Sequence, residues 1–489
     1  QRLLFETDGN NWNRFIIPDT YGNKSNNIKA EDVLTPEEYK TMQAVVQQVI
    51  PAGETKIETA PIPYTKGDTV YLENGTPFLI EEITDYYVNL RDPSLFYPVL
   101  RAESRESFLQ LLERYPQTKS VQEKAEDFRI TDTHLGEGNK REKYQRNVAA
   151  ITTLQTIERE NRPATKEEQE TLSQYVGWGG LPDVFDETKD NWHGEYLQLK
   201  DLLSEDEYKM ARASTLNAHY TSPTVIKAIY DAMEQMGFKS GNILEPACGT
   251  GNFFGMLPDS MQGSNLYGIE LDSITGRIAK QLYPSANIAI TGFEKTDLPD
   301  SFFDLVIGNV PFGNYKLTEK RYDSQNFLIH DHFFAKALDK VRPGGIVAFV
   351  TSKGTMDKKN PKVRRYLAQR AELLGAIRLP NNAFTKNAGT EVTSDIIFLQ
   401  KRDRPIDVDR DWIHLGYDEN DITLNSYFAQ HPEMILGTME MKSGQFGMES
   451  TCTPVPDADL ATLLKTAMAN IDGNIPEAEL PDLEVATAT

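Results

Sequence analysis

From Tyr220 onward, short apolar runs alternate with longer amphipathic stretches. The apolar runs are Asn242–Glu245, Leu266–Glu270, Asn287–Ile290, Phe303–Ile307, Gly345–Thr351, Leu373–Leu379 and Asp395–Leu399. Between most of them, apolar positions recur at helical spacing, over Thr224–Met236, Ile274–Leu282, Phe327–Val341 and Val363–Ala371. Runs of this length are right for buried strands, and the longer stretches are right for helices covering a sheet. The alternation predicts an α/β fold with a doubly wound, seven-stranded sheet, in which ligands bind at the carboxyl ends of the strands.

The pattern upstream is different. Residues 1–60 are polar, with a helix-like stretch at Thr35–Ile50 and no chemistry to name. Residues 61–120 hold β-prone runs at Thr69–Leu72, Phe78–Ile80 and Tyr86–Leu90, with the hairpin dipeptide Asn74-Gly75 between the first two and a helix predicted over Ser104–Tyr115. They read as a small SH3-like β-meander followed by that helix. Residues 121–215 read as helical, with Asn147–Glu160, then Lys166–Tyr175 behind a Thr165 cap, and a capping box of Ser204 with Glu207. The glycines around Trp178 break the helical pattern, and Trp178 is expected to anchor a tight turn. The predicted organisation is therefore five segments: 1–60, 61–120, 121–215, a catalytic domain at 216–402, and an acidic extension at 403–489 that ends in a linker beyond Asp457.

Composition changes the picture in two places. With 489 residues, 39% hydrophobic and 10% aromatic, the chain is long enough for roughly three domains with real cores. No apolar run reaches the ~18 residues of a membrane span. No signal peptide opens the chain, and two cysteines, Cys248 and Cys452, fit a reducing cytoplasm rather than a disulfide framework. Gln1 in place of Met leads us to expect a fragment or processed chain. The net charge of -22 is unusual for a protein that handles nucleic acid. The acids are concentrated at one end, with 17 acids against 4 bases from Asp403 to Thr489. Basic residues gather at Lys140–Arg146 and from Lys353 to Arg378, where Lys358, Arg364 and Arg365 are candidates for backbone phosphates.

Two loops carry the chemistry. The first reads I-L-E-P-A-C-G-T-G-N-F-F from Ile243 to Phe254, and the second G-N-V-P-F-G-N-Y from Gly308 to Tyr315. In the first, Glu245 ends a strand, Pro246 and Ala247 turn the chain, Gly249 and Gly251 let backbone approach a ligand, and Asn252-Phe253 opens a helix. Glu270 ends the following strand, about 20 residues beyond the glycines, where dinucleotide folds place the acid that takes ribose hydroxyls. The second loop is suited to holding a planar amide or exocyclic amine.

Together the two loops resemble the S-adenosylmethionine-dependent amino-methyltransferases, above all the γ-type N6-adenine DNA methyltransferases. The resemblance covers roughly residues 216–402. It implies a Rossmann-like core of seven strands, the last antiparallel, with S-adenosyl-L-methionine as cofactor, double-stranded DNA as partner and no metal. It implies that Tyr220 and Thr221 close over the methionine end and that Phe293 packs on the cofactor's adenine, the usual acid there being displaced to Glu294. It assigns Asn309, Val310, Pro311 and Phe312 to catalysis. The side-chain oxygen of Asn309 and the Val310 carbonyl accept from the two amine protons, Pro311 stiffens the turn, and Phe312 stacks on a flipped base. Val310 stands where the family usually has proline. Phe384 is the candidate for the other face of the base.

Cytosine C5 chemistry is disfavoured, since it needs a nucleophilic cysteine and Cys248 sits in the cofactor loop. More particularly, Val176–Gly180, His219–Thr221, Ile307–Gly313 and Tyr427–Glu433 resemble the methylase portion of large methylase–helicase proteins of conjugative elements and phages, some tied to resisting host restriction. That resemblance implies a helicase region in the parent chain. Two other readings stay open: transfer to another planar amine or amide, in RNA or a protein glutamine, and a non-catalytic scaffold module of a mobile-element protein.

Overall fold

The computed structural model describes residues 62–66, 68–72, 76–84, 87–91, 100–115, 126–132, 134–215, 221–385, 391–444 and 447–476, together with the strand backbone of three segments before residue 30. Those three are β1 (Leu4–Thr7), β2 (Trp12–Ile16) and β3 (Asn27–Lys29), which pair antiparallel in sequence order. A polar, helical or irregular reading of the first sixty residues did not anticipate them; Thr35–Ile50 lies outside the described residues. The chain divides into two compact units. The first comprises residues 1–90 and 101–116, and the second residues 91–100 and 117–489.

The meander has four strands in sequential order, β4 (Thr69–Leu72), β5 (Thr76–Ile83), β6 (Tyr87–Arg91) and β7 (Leu100–Ser104), followed by the helix Arg105–Arg114. Val70, Leu72, Ile80, Val88 and Leu90 alternate inward and pack with Phe108 of that helix. The fourth strand was missed because Leu100-Arg-Ala-Glu-Ser lacks β-branched residues. Asn74-Gly75 lies outside the described residues.

In the second unit, all seven predicted strands form. They are β8 (Asn242–Glu245), β9 (Asn265–Glu270), β10 (Asn287–Ile290), β11 (Phe303–Asn309), β12 (Val341–Ser352), β13 (Ala371–Leu379) and β14 (Ser394–Lys401). Their order across the sheet is β10-β9-β8-β11-β12-β14-β13. β8, β9, β10, β11 and β12 run parallel, and β14 is antiparallel to both β12 and β13. The alternation implied such a doubly wound sheet, and the resemblance implied this Rossmann-like methyltransferase topology. Order reverses between β8 and β11, the switch point at which an open α/β sheet presents a ligand crevice. β11 is buried over Phe303–Gly308, as expected of a central parallel strand covered on both faces.

The helices Lys140–Glu160, Lys166–Ser173 and Glu205–Ser214 each begin with a capping box, set by Asn139/Glu142, Thr165/Glu168 and Ser204/Glu207. Their apolar faces belong to the same buried cluster as the sheet. Trp178 is buried in the turn between Gly177 and Gly180, both at positive φ, with rings of Tyr144, Tyr175 and Phe185 around it. It is the anchor that the glycines predicted.

The acidic extension is folded rather than a linker as far as residue 476. It forms the hairpins β15 (Leu415–Tyr417) with β16 (Thr423–Asn425) and β17 (Gly437–Gly444) with β18 (Gly447–Pro454), and then the helix Leu460–Met468. Ile413, Leu424, Phe428, Met434, Cys452, Leu464 and Met468 are buried in the main core. The Ile475 N–H donates to the Met236 carbonyl at 2.9 Å, tying the end of this stretch to the helix Pro223–Gln235. Surface acids masked an apolar stripe that is only partly regular. No helix among the described residues is long and apolar enough to cross a membrane.

Candidate active site

A cavity of about 370 Å³ opens at the carboxyl ends of β8, β9, β10 and β11, within the size range of small-molecule sites. Glu245 to Gly249, Asn252 and Phe253 line it from the first loop, and Glu270, Leu271, Asp272 and Thr275 from the end of β9 and the residues after it. Thr291 to Glu294 follow β10, and Asn309 to Phe312 follow β11. The two halves named from sequence thus face one space.

The cofactor half is built around two carboxylates. Glu270 accepts from the Gly249 N–H at 2.8 Å and from the Asp272 N–H at 2.7 Å. Burial pushes its carboxyl up to about 7, with the Asp272 charge adding to the rise. Glu245 is buried, and its Oε2 has no hydrogen-bond partner among the described residues. Burial, and then the Glu270 charge, holds its carboxyl well above the usual range. A buried carboxyl oxygen with no protein partner is open to a cation or donor from a ligand or to water. S-adenosylmethionine carries an ammonium, a sulfonium and ribose hydroxyls, so the donor set fits it.

Thr221 and Phe293 are buried on the cavity wall. The Phe293 ring lies 5.0 Å from Phe333, and Lys336 Nζ sits 5.0 Å from its centroid. Glu294 also borders the cavity, with its carboxylate turned back over Gly292, where an added Cβ would stand 2.3 Å from Oε1. Tyr220 lies outside the described residues. Gly251 is not on the cavity wall. Its φ is +85°, and an added Cβ would lie 2.5 Å from the Tyr283 ring, so packing rather than a ligand requires glycine there. The Cys248 thiol is buried and pushed well up by burial, which leaves it inert.

On the catalytic side, Gly308 at φ +148° carries β11 past Glu245, whose Cγ would be 3.1 Å from an added Cβ. Asn309 is half-buried at the strand end. Val310 donates its N–H to the Val350 carbonyl at 3.1 Å and buries its side chain. A proline in that position would have no N–H, so valine adds one hydrogen bond to the β11–β12 ladder. Pro311 and Phe312 are half-buried on the cavity wall, and the exposed Tyr315 stands beside them.

The residues expected to touch substrate divide differently. Phe384 is buried in the core and is not among the cavity-lining residues, which corrects its assignment to the base. Arg364 is fully buried, donating to the carbonyls of Ile413 and Lys358 at 2.8 Å each. Lys358 pairs with the buried Asp331. Burial of Arg364 corrects its assignment to phosphates, Lys358 is partly exposed and paired, and Arg378 is buried between Asp395 and Asp357. Arg365 is exposed.

Sequence reasoning missed a wall. Tyr175, Gly177, Met210, Ala213 and Ser214 line the cavity from the helical layer. That layer is tied to the sheet's helix Ser273–Leu282 by ion pairs of Arg277 with Glu158 and Glu207. The glycine-rich turn was a visible signal, but its place over the cavity was not.

Comparison with known proteins agrees with the strand order and the paired loops. Residues 206–413 match the N-6 DNA Methylase family. The matched segment contains every strand of the seven-stranded sheet and both loops. Among curated proteins, the chain is 28% identical over 272 residues to Defense against restriction protein B of Escherichia phage P1, covering 54% of this chain and 10% of that protein. It is 24% identical over 136 residues to Modification methylase CviBIII of Paramecium bursaria Chlorella virus NC1A, covering 27% of this chain and 36% of the methylase. The chain therefore spans between a tenth and about a third of these two relatives. A Listeria monocytogenes structure described as a class I S-adenosylmethionine-dependent methyltransferase aligns over 55% of this chain and 90% of its own, at 17% identity and a TM-score of 0.34. Strand order and the family match together give the segment an S-adenosylmethionine-dependent methyltransferase fold.

Proposed function

We propose that the protein transfers a methyl group to the N6 amine of adenine in double-stranded DNA. The observation that carries this reading is the cavity shared by the Glu245–Glu270 pair and the Asn309–Phe312 loop. S-adenosylmethionine, when bound, supplies a methyl group already activated on a sulfonium. Glu270, ionised, takes the ribose hydroxyls, Glu245 faces the cationic end, and Phe293 packs on the cofactor's adenine. Thr221, Pro246, Ala247, Gly249, Asn252 and Phe253 complete that half.

The target amine is a weak nucleophile because its lone pair is delocalised into the ring. Asn309 Oδ1 and the Val310 carbonyl accept from its two N–H groups and draw the nitrogen toward tetrahedral geometry. This interaction strengthens as the reaction proceeds and so lowers the barrier. Phe312 stacks on the extruded base. No side chain needs to act as a strong base, since the proton leaves an already cationic product amine.

The test is incubation with labelled S-adenosylmethionine and duplex DNA, followed by digestion to nucleosides and mass spectrometry. N6-methyladenine is expected. N4-methylcytosine alone would overturn the substrate while leaving cofactor and fold, and label on RNA or protein instead would overturn the DNA reading.

A further inference from the structure

The helix Lys362–Arg370 lies between β12 and β13, and one side of it forms a shallow groove of about 320 Å³. Lys362, Arg365, Arg370 and Tyr366 line it, with the amides of Gln325 and Gln369. Among the described residues the lining contains no carboxylate, in a chain whose net charge is -22. The nearby acids are engaged elsewhere. Asp339 takes Arg321 Nε at 3.0 Å and the Tyr322 hydroxyl at 2.6 Å, and Asp323 accepts the Glu319 N–H at 2.8 Å.

Two of the three cations, Arg370 and Lys362, are held in place. The Arg370 guanidinium lies 3.6 Å from the Tyr366 ring centroid, and the ring's other neighbour is Phe327, edge-on at 5.1 Å. Lys362 Nζ donates to the Gln325 carbonyl at 2.7 Å. Gln325 lies on the segment that leads away from the Asn309–Tyr315 loop. That segment is pinned where the Ile329 N–H meets the Tyr315 carbonyl at 2.9 Å. The groove therefore meets, at Gln325, the segment that follows the proposed base-holding loop. Buried Arg364 on the same helix belongs to the core and takes no part.

We infer that this groove binds the phosphodiester backbone of the substrate DNA on one flank of the target base, through Lys362, Arg365 and Arg370. The inference rests on the DNA reading above and deepens it. Cations on one rigid helix, amide donors and the absence of acids suit a run of phosphates and carry no base-reading chemistry, so the contact is independent of sequence. It also accounts for how an acidic chain can hold a polyanion: counterion release follows the phosphates contacted, not the net charge.

The experiment compares the full chain with a Lys362→Gln, Arg365→Gln, Arg370→Gln variant. Fluorescence anisotropy with labelled duplex DNA gives affinity from about 50 to 200 mM salt, a range over which phosphate contacts show clearly. Because Arg370 packs on Tyr366, Arg365→Glu alone serves as a second variant, and unchanged circular dichroism and cofactor affinity verify that both fold. The triple variant should flatten the slope of log affinity against log salt by about 2–3 units, at ~0.9 for each phosphate no longer neutralised, equally on unrelated duplexes. Arg365→Glu should weaken binding on every duplex as well. An unchanged slope in a protein that still binds and methylates duplex DNA would overturn the groove and leave the proposed function standing. A wild-type protein that binds and methylates RNA but not duplex DNA would overturn both.

Discussion

Lowering the pH should weaken cofactor binding through Glu270, by an amount the structure sets. Its carboxyl is pushed up to about 7 by burial, and its two oxygens already accept N–H groups from Gly249 and Asp272. The carboxylate form is the one that accepts from both ribose hydroxyls. The apparent dissociation constant then scales inversely with the ionised fraction. It is close to its limiting value at pH 8 and roughly tenfold weaker at pH 6, or ~1.4 kcal/mol. Glu270→Gln removes the charge, so binding at pH 8 should weaken by ~1.5–3 kcal/mol, the worth of hydrogen bonds to a charged group, and the pH dependence should flatten. Isothermal titration with S-adenosylhomocysteine from pH 6 to 8.5 measures both, with Glu245→Gln as the control for the neighbouring acid. A flat wild-type profile would refute the reasoning. So would a slope that survives in Glu270→Gln and vanishes in Glu245→Gln.

Three further outcomes follow from the same geometry. Glu245 is a carboxyl with a raised pKa, so the folded state keeps its proton to higher pH than the unfolded chain, and the stability this gives is lost as pH rises above the ordinary carboxyl range; Glu245→Gln should raise the melting temperature of cofactor-free protein at pH 8 while weakening cofactor binding, and a lower melting temperature would contradict it. Gly251→Ala puts a Cβ 2.5 Å from the Tyr283 ring at a φ of +85° and should cost about 1–3 kcal/mol in urea unfolding, whereas an unchanged midpoint would mean that Tyr283 yields freely. Asn309→Ala should cut methyl transfer on the order of a hundredfold or more, as loss of one transition-state hydrogen bond does, with cofactor affinity nearly kept; wild-type turnover would remove the loop from catalysis.

The sheet was legible because its strands are short apolar runs flanked by turns and helices, and no distant contact is needed to recognise them. The two loops were legible for a related reason: Glu245, Glu270 and Asn309 each end a strand, so the topology alone brings them together. Arg364 and Arg378 were misread because a basic residue in a polar-looking stretch resembles surface. What buries Arg364 is Ile413, 49 residues away, and what buries Arg378 is an ion cluster with Asp357 and Asp395. Phe384 failed in the same way, since aromatic character does not say which side of a loop faces the core. The helical wall over the cavity and the folded acidic extension depend on long-range packing that local patterning does not encode.

These misreadings bear on the proposed action of an acidic chain on DNA. Six of the eight basic residues from Lys353 to Arg378 fall into two sets. Lys358, Arg364 and Arg378 neutralise or cross-link the interior beneath the carboxyl ends of β12 and β13, while Lys362, Arg365 and Arg370 share one helix side free of acids. The first set stabilises the platform on which the Asn309 loop stands, because removing one partner of a buried ion pair leaves the other charge stranded. The second set is available to an anion. The cavity, by contrast, is lined by Glu245, Glu270, Asp272 and Glu294 and by no lysine or arginine among the described residues. An acidic cavity suits a sulfonium and ammonium donor and repels phosphate, and the basic helix side does the reverse. On the proposed function, the same acidic chain separates cofactor from polyanion by position alone, with backbone phosphates kept to the flank and only an uncharged base entering the cavity.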